Sequence, residues 1–192
     1  MRSQNRRARL RSATTKAHAR LDGLVESAGF FDNQDAYARY LDATWRLRAP
    51  IEAALVRWGA ESLYPLWPRR CIASELRADF EDVSAIARLP TDRLADAQPV
   101  CGAAQALGVL YVLEGSALGA SILVGRAGAL GFNATFGARH LAAQTGIPRA
   151  WPEFLSVLEA TSLDTVQETA CVRAAVDVFE LFENAYQAVS AG

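Results

Sequence analysis

The sequence predicts an all-α fold, and three observations carry that expectation. Helix formers dominate all 192 residues, no stretch alternates apolar and polar residues with β-branched enrichment, and apolar side chains recur at helical spacing. At 51% apolar and 21% charged, the chain can bury one core and is not compositionally disordered. No internal repeat and no long linker divides it. One all-helical domain over residues 1–192 is expected, with about residues 1–8 as a basic tail.

The elements follow in order. A first helix runs from about Gln4–Arg9 to Ser27, with Leu10, Thr14, Ala17, Leu21 and Val25 near one face, and Gly29 closes it. Asp32 or Asn33 caps a second helix, with Phe30 or Phe31 as its hydrophobic staple. Pro50 is expected to kink or restart that helix, because it removes an amide and clashes one turn back. Leu63–Pro68, with two prolines, reads as loop, and a third helix is expected from about Arg70 to Ile86. Leu89–Pro99 forms a polar connection. A long glycine-bearing helix then spans Val100 to about Leu130, broken by Gly131-Phe132-Asn133. Short elements around Gly137–Ala142 and Pro152–Ala160 precede a last helix, from an Asp164 cap to near Val189.

Charge and composition exclude several functions. A net charge of −1 gives no overall positive field for nucleic acid or an anionic membrane. Met1–Arg11 holds five arginines but no apolar segment follows, so a secretory signal is not expected. Val100–Val124 carries a single charge, Glu114, and is long enough to span a bilayer. Its central carboxylate and many small residues fit a helix buried inside a helical protein better, so no membrane insertion is expected. Three separated cysteines (Cys71, Cys101, Cys171) form no metal or disulfide pattern and read as small, buried, reduced residues of a cytoplasmic protein. Two histidines, His18 and His140, cannot build a His-rich zinc or di-iron centre. Any metal must bring most of its own ligands.

His18 falls on the apolar stripe of the first helix. Asp22, one turn on, can accept a hydrogen bond from Nδ1 and leave Nε2 for a metal. Arg11, two turns back, can meet an anionic group of a ligand lying along the helix. In the long helix Gly108, Gly115, Gly119 and Gly125 each cost about 1 kcal/mol against alanine, which implies close approach by another helix or by a ligand. Ser116 adjoins the Gly115–Gly119 pair, and Arg126 lies on the same stripe. A flat apolar ligand bearing carboxylates would suit a slot between these two helices.

On three segments the chain resembles bacterial, biliverdin-producing haem oxygenases. They are Leu10-Arg-Ser-Ala-Thr-Thr-Lys-Ala-His18-Ala-Arg-Leu-Asp22, Leu110-Tyr-Val-Leu-Glu-Gly115-Ser-Ala-Leu-Gly119-Ala and Phe136-Gly-Ala-Arg-His140-Leu. The resemblance implies a multi-helix bundle with haem sandwiched between a proximal and a distal helix. It implies that His18 is the proximal ligand, with Asp22 as its partner. Gly115, Ser116 and Gly119 would form the catalytic distal face, and Arg11, Tyr111 and Arg126 would contact haem. Better-known members have aspartate where this chain has Ser116, a second glycine where it has Ala120, and glutamate where it has Asp22. Haem would be substrate and cofactor together. No nicotinamide or flavin fingerprint appears, so electrons would come from a separate reductase or ferredoxin. Glu114 reads as a structural pair and His140 as a capping or surface residue. A haem carrier of the same fold without turnover, or a non-haem bundle that binds a partner, remains the alternative at this stage.

Overall fold

The computed structural model describes residues 5–84 and 100–190. Its helices are α1 (Arg6–Ser27), α2 (Gln34–Trp58), α3 (Ala73–Ser84), α4 (Ala103–Ala129), α5 (Arg139–Thr145), α6 (Ala150–Ala160) and α7 (Thr165–Ser190). Asn5 caps α1 by accepting from Ala8 N, and Asn33 caps α2 by accepting from Ala36 N. Phe31, rather than the fully buried Phe30, packs on the Tyr37 ring in the first turn of α2. Asp164 and Gln167 bond each other's backbone amides at 2.9 and 2.8 Å, a reciprocal cap for α7.

Several expected boundaries move. Residues 6–8, expected in a basic tail, belong to α1, which starts at Arg6 with that side chain buried. It bonds Glu168 and the Leu158 and Thr161 carbonyls. Helix α2 runs through Pro50 without restarting, since burial of Leu47, Ile51 and Leu55 on one face outweighs one missing bond. The Leu63–Pro68 region holds loop between two short 3-10 turns, Ala60–Ser62 and Trp67–Arg69. Arg70 does not open α3; its guanidinium is drawn into the core by Glu114. The expected end of α3 at Ile86 and the Leu89–Pro99 connection lie outside the described residues.

The core is organised on α7. Helices α1, α2 and α4 all pack against it, and α4 makes the most extensive contact. Gly108 allows that contact: a Cβ there would fall 2.1 Å from the Cys171 carbonyl oxygen. Leu107 and Leu110 of α4 and Ala175 and Val178 of α7 are buried in the same core. On the far side, α2 packs on α3 and α3 on α5. Two buried ion pairs tie these layers. Glu52 binds Arg48 at 2.5 Å and accepts from Ile72 N and Ala73 N, satisfying the amides that open α3. Arg70 donates to Glu114 at 3.0 Å and to the Gln144 carbonyl at 3.0 Å.

Helix α4 is long and apolar enough to cross a membrane by length and composition. Its first half is nevertheless a core helix against α7, α5 and α6. Its second half is largely exposed, with only Ala120 and Ala127 buried beyond Glu114.

Candidate functional site

Helices α1 and α4 both rest on α7, yet they do not pack on each other along their length. They meet at two points. Near one end the Tyr111 hydroxyl lies beside the Thr14 side chain. At the other, Arg126 Nη2 lies 2.8 Å from Glu26 Oε2. Thr14 to Glu26 covers about 18 Å of helix. Between these two approaches the helices share no extensive interface, and the interval they leave is the candidate slot.

His18 stands in that interval. Its Nδ1 lies 2.8 Å from Asp22 Oδ2, so the ring nitrogen left to a ligand is Nε2. The shorter aspartate reaches the imidazole without help. The ring is not buried on the apolar stripe as expected: its side chain is 61% exposed, with the Phe179 ring 5.8 Å away on the α7 side. Across the slot, a Cβ on Gly115 would meet only the Trp151 ring, at 3.9 Å, and one on Gly119 would meet nothing within 4 Å. Gly119 therefore serves no helix contact in the protein, unlike Gly108, and Gly115 faces only the Trp151 ring of α6 at ordinary contact distance. Gly125 also faces open space, so no other helix approaches it.

Ser116 Oγ donates to the Leu113 carbonyl at 2.7 Å and to Gln144 Oε1 at 3.2 Å, which ties the rim of the slot to α5. Gln144 and Arg70 escaped the sequence reading. So did Leu118 and Ile122, 59% and 64% exposed beside Gly119, where a flat apolar ligand would cover them. Leu118 follows Gly115 by three residues and Ile122 follows Gly119 by three, and that spacing was the signal available for both.

The ends of the slot differ electrically. Burial raises the pKa of the Tyr111 hydroxyl, while Thr14 and the charges of Arg7 and Arg11 work against the rise. Arg7 and Arg11 thus lie near Tyr111; Glu159 accepts from the Arg7 backbone amide, and no described carboxylate pairs with either guanidinium. Arg126, by contrast, is held by Glu26.

Two expectations are overturned. His140 is no surface residue: it is fully buried, with Nδ1 2.8 Å from Asp79 Oδ2. Asp79 also accepts from the Arg139 and His140 amides at 2.9 Å, so α3 supplies the cap for α5. Cys101 is exposed and Cys71 half-buried, and only Cys171 is a core cysteine. The α1–α7 groove lined by Arg9, Ala13, Val172 and Val176 lies apart from His18 and Gly119. Among the described residues no group of three or more His, Cys, Asp and Glu could hold a metal ion.

The Heme oxygenase family model matches residues 4–188. The chain belongs to the haem oxygenase family. It is 32% identical over 175 residues to the haem oxygenase PigA of Pseudomonas aeruginosa, covering 91% of this chain and 87% of that protein. Its fold matches the crystal structure of the NO- and CO-bound haem oxygenase of Neisseria meningitidis, with a TM-score of 0.84. That match covers 98% of this chain and 94% of the other at 23% identity. Haem is the substrate of the family, and the chain is an enzyme that opens the haem ring oxidatively.

Proposed function

We propose that haem binds in the slot between α1 and α4, where His18 would hold its iron. The observation that carries this reading is the exposed His18, oriented by Asp22, opposite two glycines whose missing side chains leave the slot open. The donor set suits the group: one imidazole suffices for a metal that arrives in its own macrocycle. Bound haem supplies the iron at which dioxygen is activated and is itself consumed, giving biliverdin, carbon monoxide and ferrous iron.

The protein's part is positioning. Asp22 holds the imidazole in the tautomer that leaves Nε2 unprotonated, and its negative charge strengthens that nitrogen as a donor. Gly115 and Gly119 let the α4 backbone approach the haem face, which a larger side chain would prevent. Ser116, its proton directed toward Leu113 and Gln144, offers its oxygen lone pairs to ordered water at the slot's rim. Arg11 and Tyr111 receive the propionates, with Arg126 a weaker candidate because Glu26 already neutralises it. Electrons come from a separate reductase or ferredoxin. A cytoplasmic setting suits the three free cysteines.

The test is haem titration of the native protein and of His18→Ala. The native protein is expected to give a stoichiometric, histidine-ligated Soret spectrum, and to release a bilin and carbon monoxide when a reductant is added. His18→Ala is expected to lose both. A variant that kept the native spectrum would remove His18 from the iron.

A further inference from the structure

We infer that Gln144 is a positioning residue for the distal side of the haem site: by drawing the Ser116 proton toward α5, it leaves that hydroxyl only accepting lone pairs on the slot side. An aspartate at that position would offer the same, so Gln144 makes a neutral serine act toward water as a carboxylate does. The inference deepens the reading that haem lies between α1 and α4, and rests on it. Gln144 touches no reacting atom and acts through Ser116.

A serine hydroxyl carries one proton and two lone pairs, whereas an ionised carboxylate only accepts. Ser116 Oγ lies 2.7 Å from the Leu113 carbonyl oxygen and 3.2 Å from Gln144 Oε1. Both neighbours are acceptors, so they share the single Ser116 proton and return none. Leu113 alone is a weak hold, because its carbonyl belongs to the preceding turn of the same helix and already serves the α4 backbone ladder. Gln144 adds a second acceptor from another element. With both in place, a water that meets the exposed Ser116 must donate to it, and the water's oxygen is left for donors on the haem side. Unlike aspartate, the serine brings no negative charge to be covered by the macrocycle.

The acceptor is held by buried structure. Gln144 is itself buried, in the last turn of α5. Its backbone carbonyl, one of those a helix end leaves without a partner, accepts from Arg70 Nη1 at 3.0 Å. Arg70 Nε in turn lies 3.0 Å from both Glu114 carboxylate oxygens, and both residues are buried. Glu114 precedes Ser116 by two residues on α4. The contacts thus run from α4 through α5 and Arg70 back to α4, a closed circuit that fixes the Gln144 amide relative to Ser116.

The experiment titrates ferric, haem-loaded protein with base, without reductant, and follows the visible spectrum as water at the iron gives up its proton. Acceptors around that water favour it and donors favour hydroxide, so an accepting Ser116 keeps the midpoint high. Gln144→Leu, and Gln144→Met with its similar side-chain length, let Ser116 turn its proton to the slot. Both are expected to lower the midpoint by about half a unit or more. Ser116→Ala is expected to lower it too, by removing the acceptor. Adding Gln144→Leu to Ser116→Ala is expected to shift nothing further, because Gln144 acts only through the hydroxyl. A merely structural Gln144 would shift both backgrounds alike. An unchanged midpoint in both Gln144 variants overturns the inference, as does an equal shift with and without the Ser116 hydroxyl, or a native midpoint in Ser116→Ala. If native protein takes up no haem, or His18→Ala keeps its spectrum, the reading of the slot falls first, and this inference falls with it.

Discussion

His140 is a histidine that the fold keeps from carrying charge. Burial lowers its pKa below the ordinary value, against the pull of Asp79. Burial also works to raise Asp79, but the His140 ring and the amides of His140 and Arg139 outweigh it and hold that carboxyl below its usual range. Both shifts act in the same direction. Below about pH 6.5 the unfolded chain protonates its histidine while the folded protein resists, and below about pH 4 the same holds for the carboxyl. Stability from this pair is present at neutral pH and lost as pH falls. Thermal unfolding between pH 7.5 and 5 is expected to show a falling Tm, and His140→Gln is expected to flatten that slope below pH 6.5. An unchanged slope in the variant would assign the acid sensitivity to other groups.

At the scale of the element, α4 contains glycines with opposite jobs, and substitution separates them. Gly108 meets the α7 backbone, which cannot move aside as a side-chain tip can. Gly108→Ala is expected to destabilise the protein by about 1–3 kcal/mol, through overpacking that outweighs any gain in helix propensity. Gly119 meets nothing. Gly119→Ala is expected to stabilise the haem-free protein by up to about 1 kcal/mol, and Gly119→Leu to weaken haem binding with little change in that stability. Denaturant unfolding and haem titration on the three variants check both signs. The contrast also marks what could be read in advance. The His18–Asp22 pair was legible because both residues share one helix, where a spacing of four fixes their meeting. The helices themselves were legible from periodicity and caps. Glu26–Arg126, Arg70–Glu114 and Asp79–His140 were not, since each joins segments whose approach depends on how several helices pack. The same blindness made four glycines look alike, and it read His140 as a capping or surface residue when α3 had closed over it.

Across the whole molecule, the slot is a place where the fold leaves its own work unfinished. Two helices share a floor, α7, but lack a common interface, and exposed Leu118 and Ile122 remain on the α4 side. A ligand that fills the gap supplies the missing contacts to the folded state and none to the unfolded one, so binding must stabilise the protein. At a free concentration one hundred times its dissociation constant, haem is expected to add about 2.7 kcal/mol, a rise in Tm of about 5–10 °C for a chain of this size. The same event covers apolar surface, so fluorescence from a dye that binds exposed apolar patches is expected to fall as haem is added. His18→Ala is expected to lose both effects while keeping the haem-free Tm, because the histidine is exposed and supports no core contact beyond the edge of Phe179. If haem raised the Tm of native protein and variant equally, the stabilising contacts would be apolar ones made without the iron. The slot would then be a binding surface for the macrocycle whose axial ligand lies elsewhere.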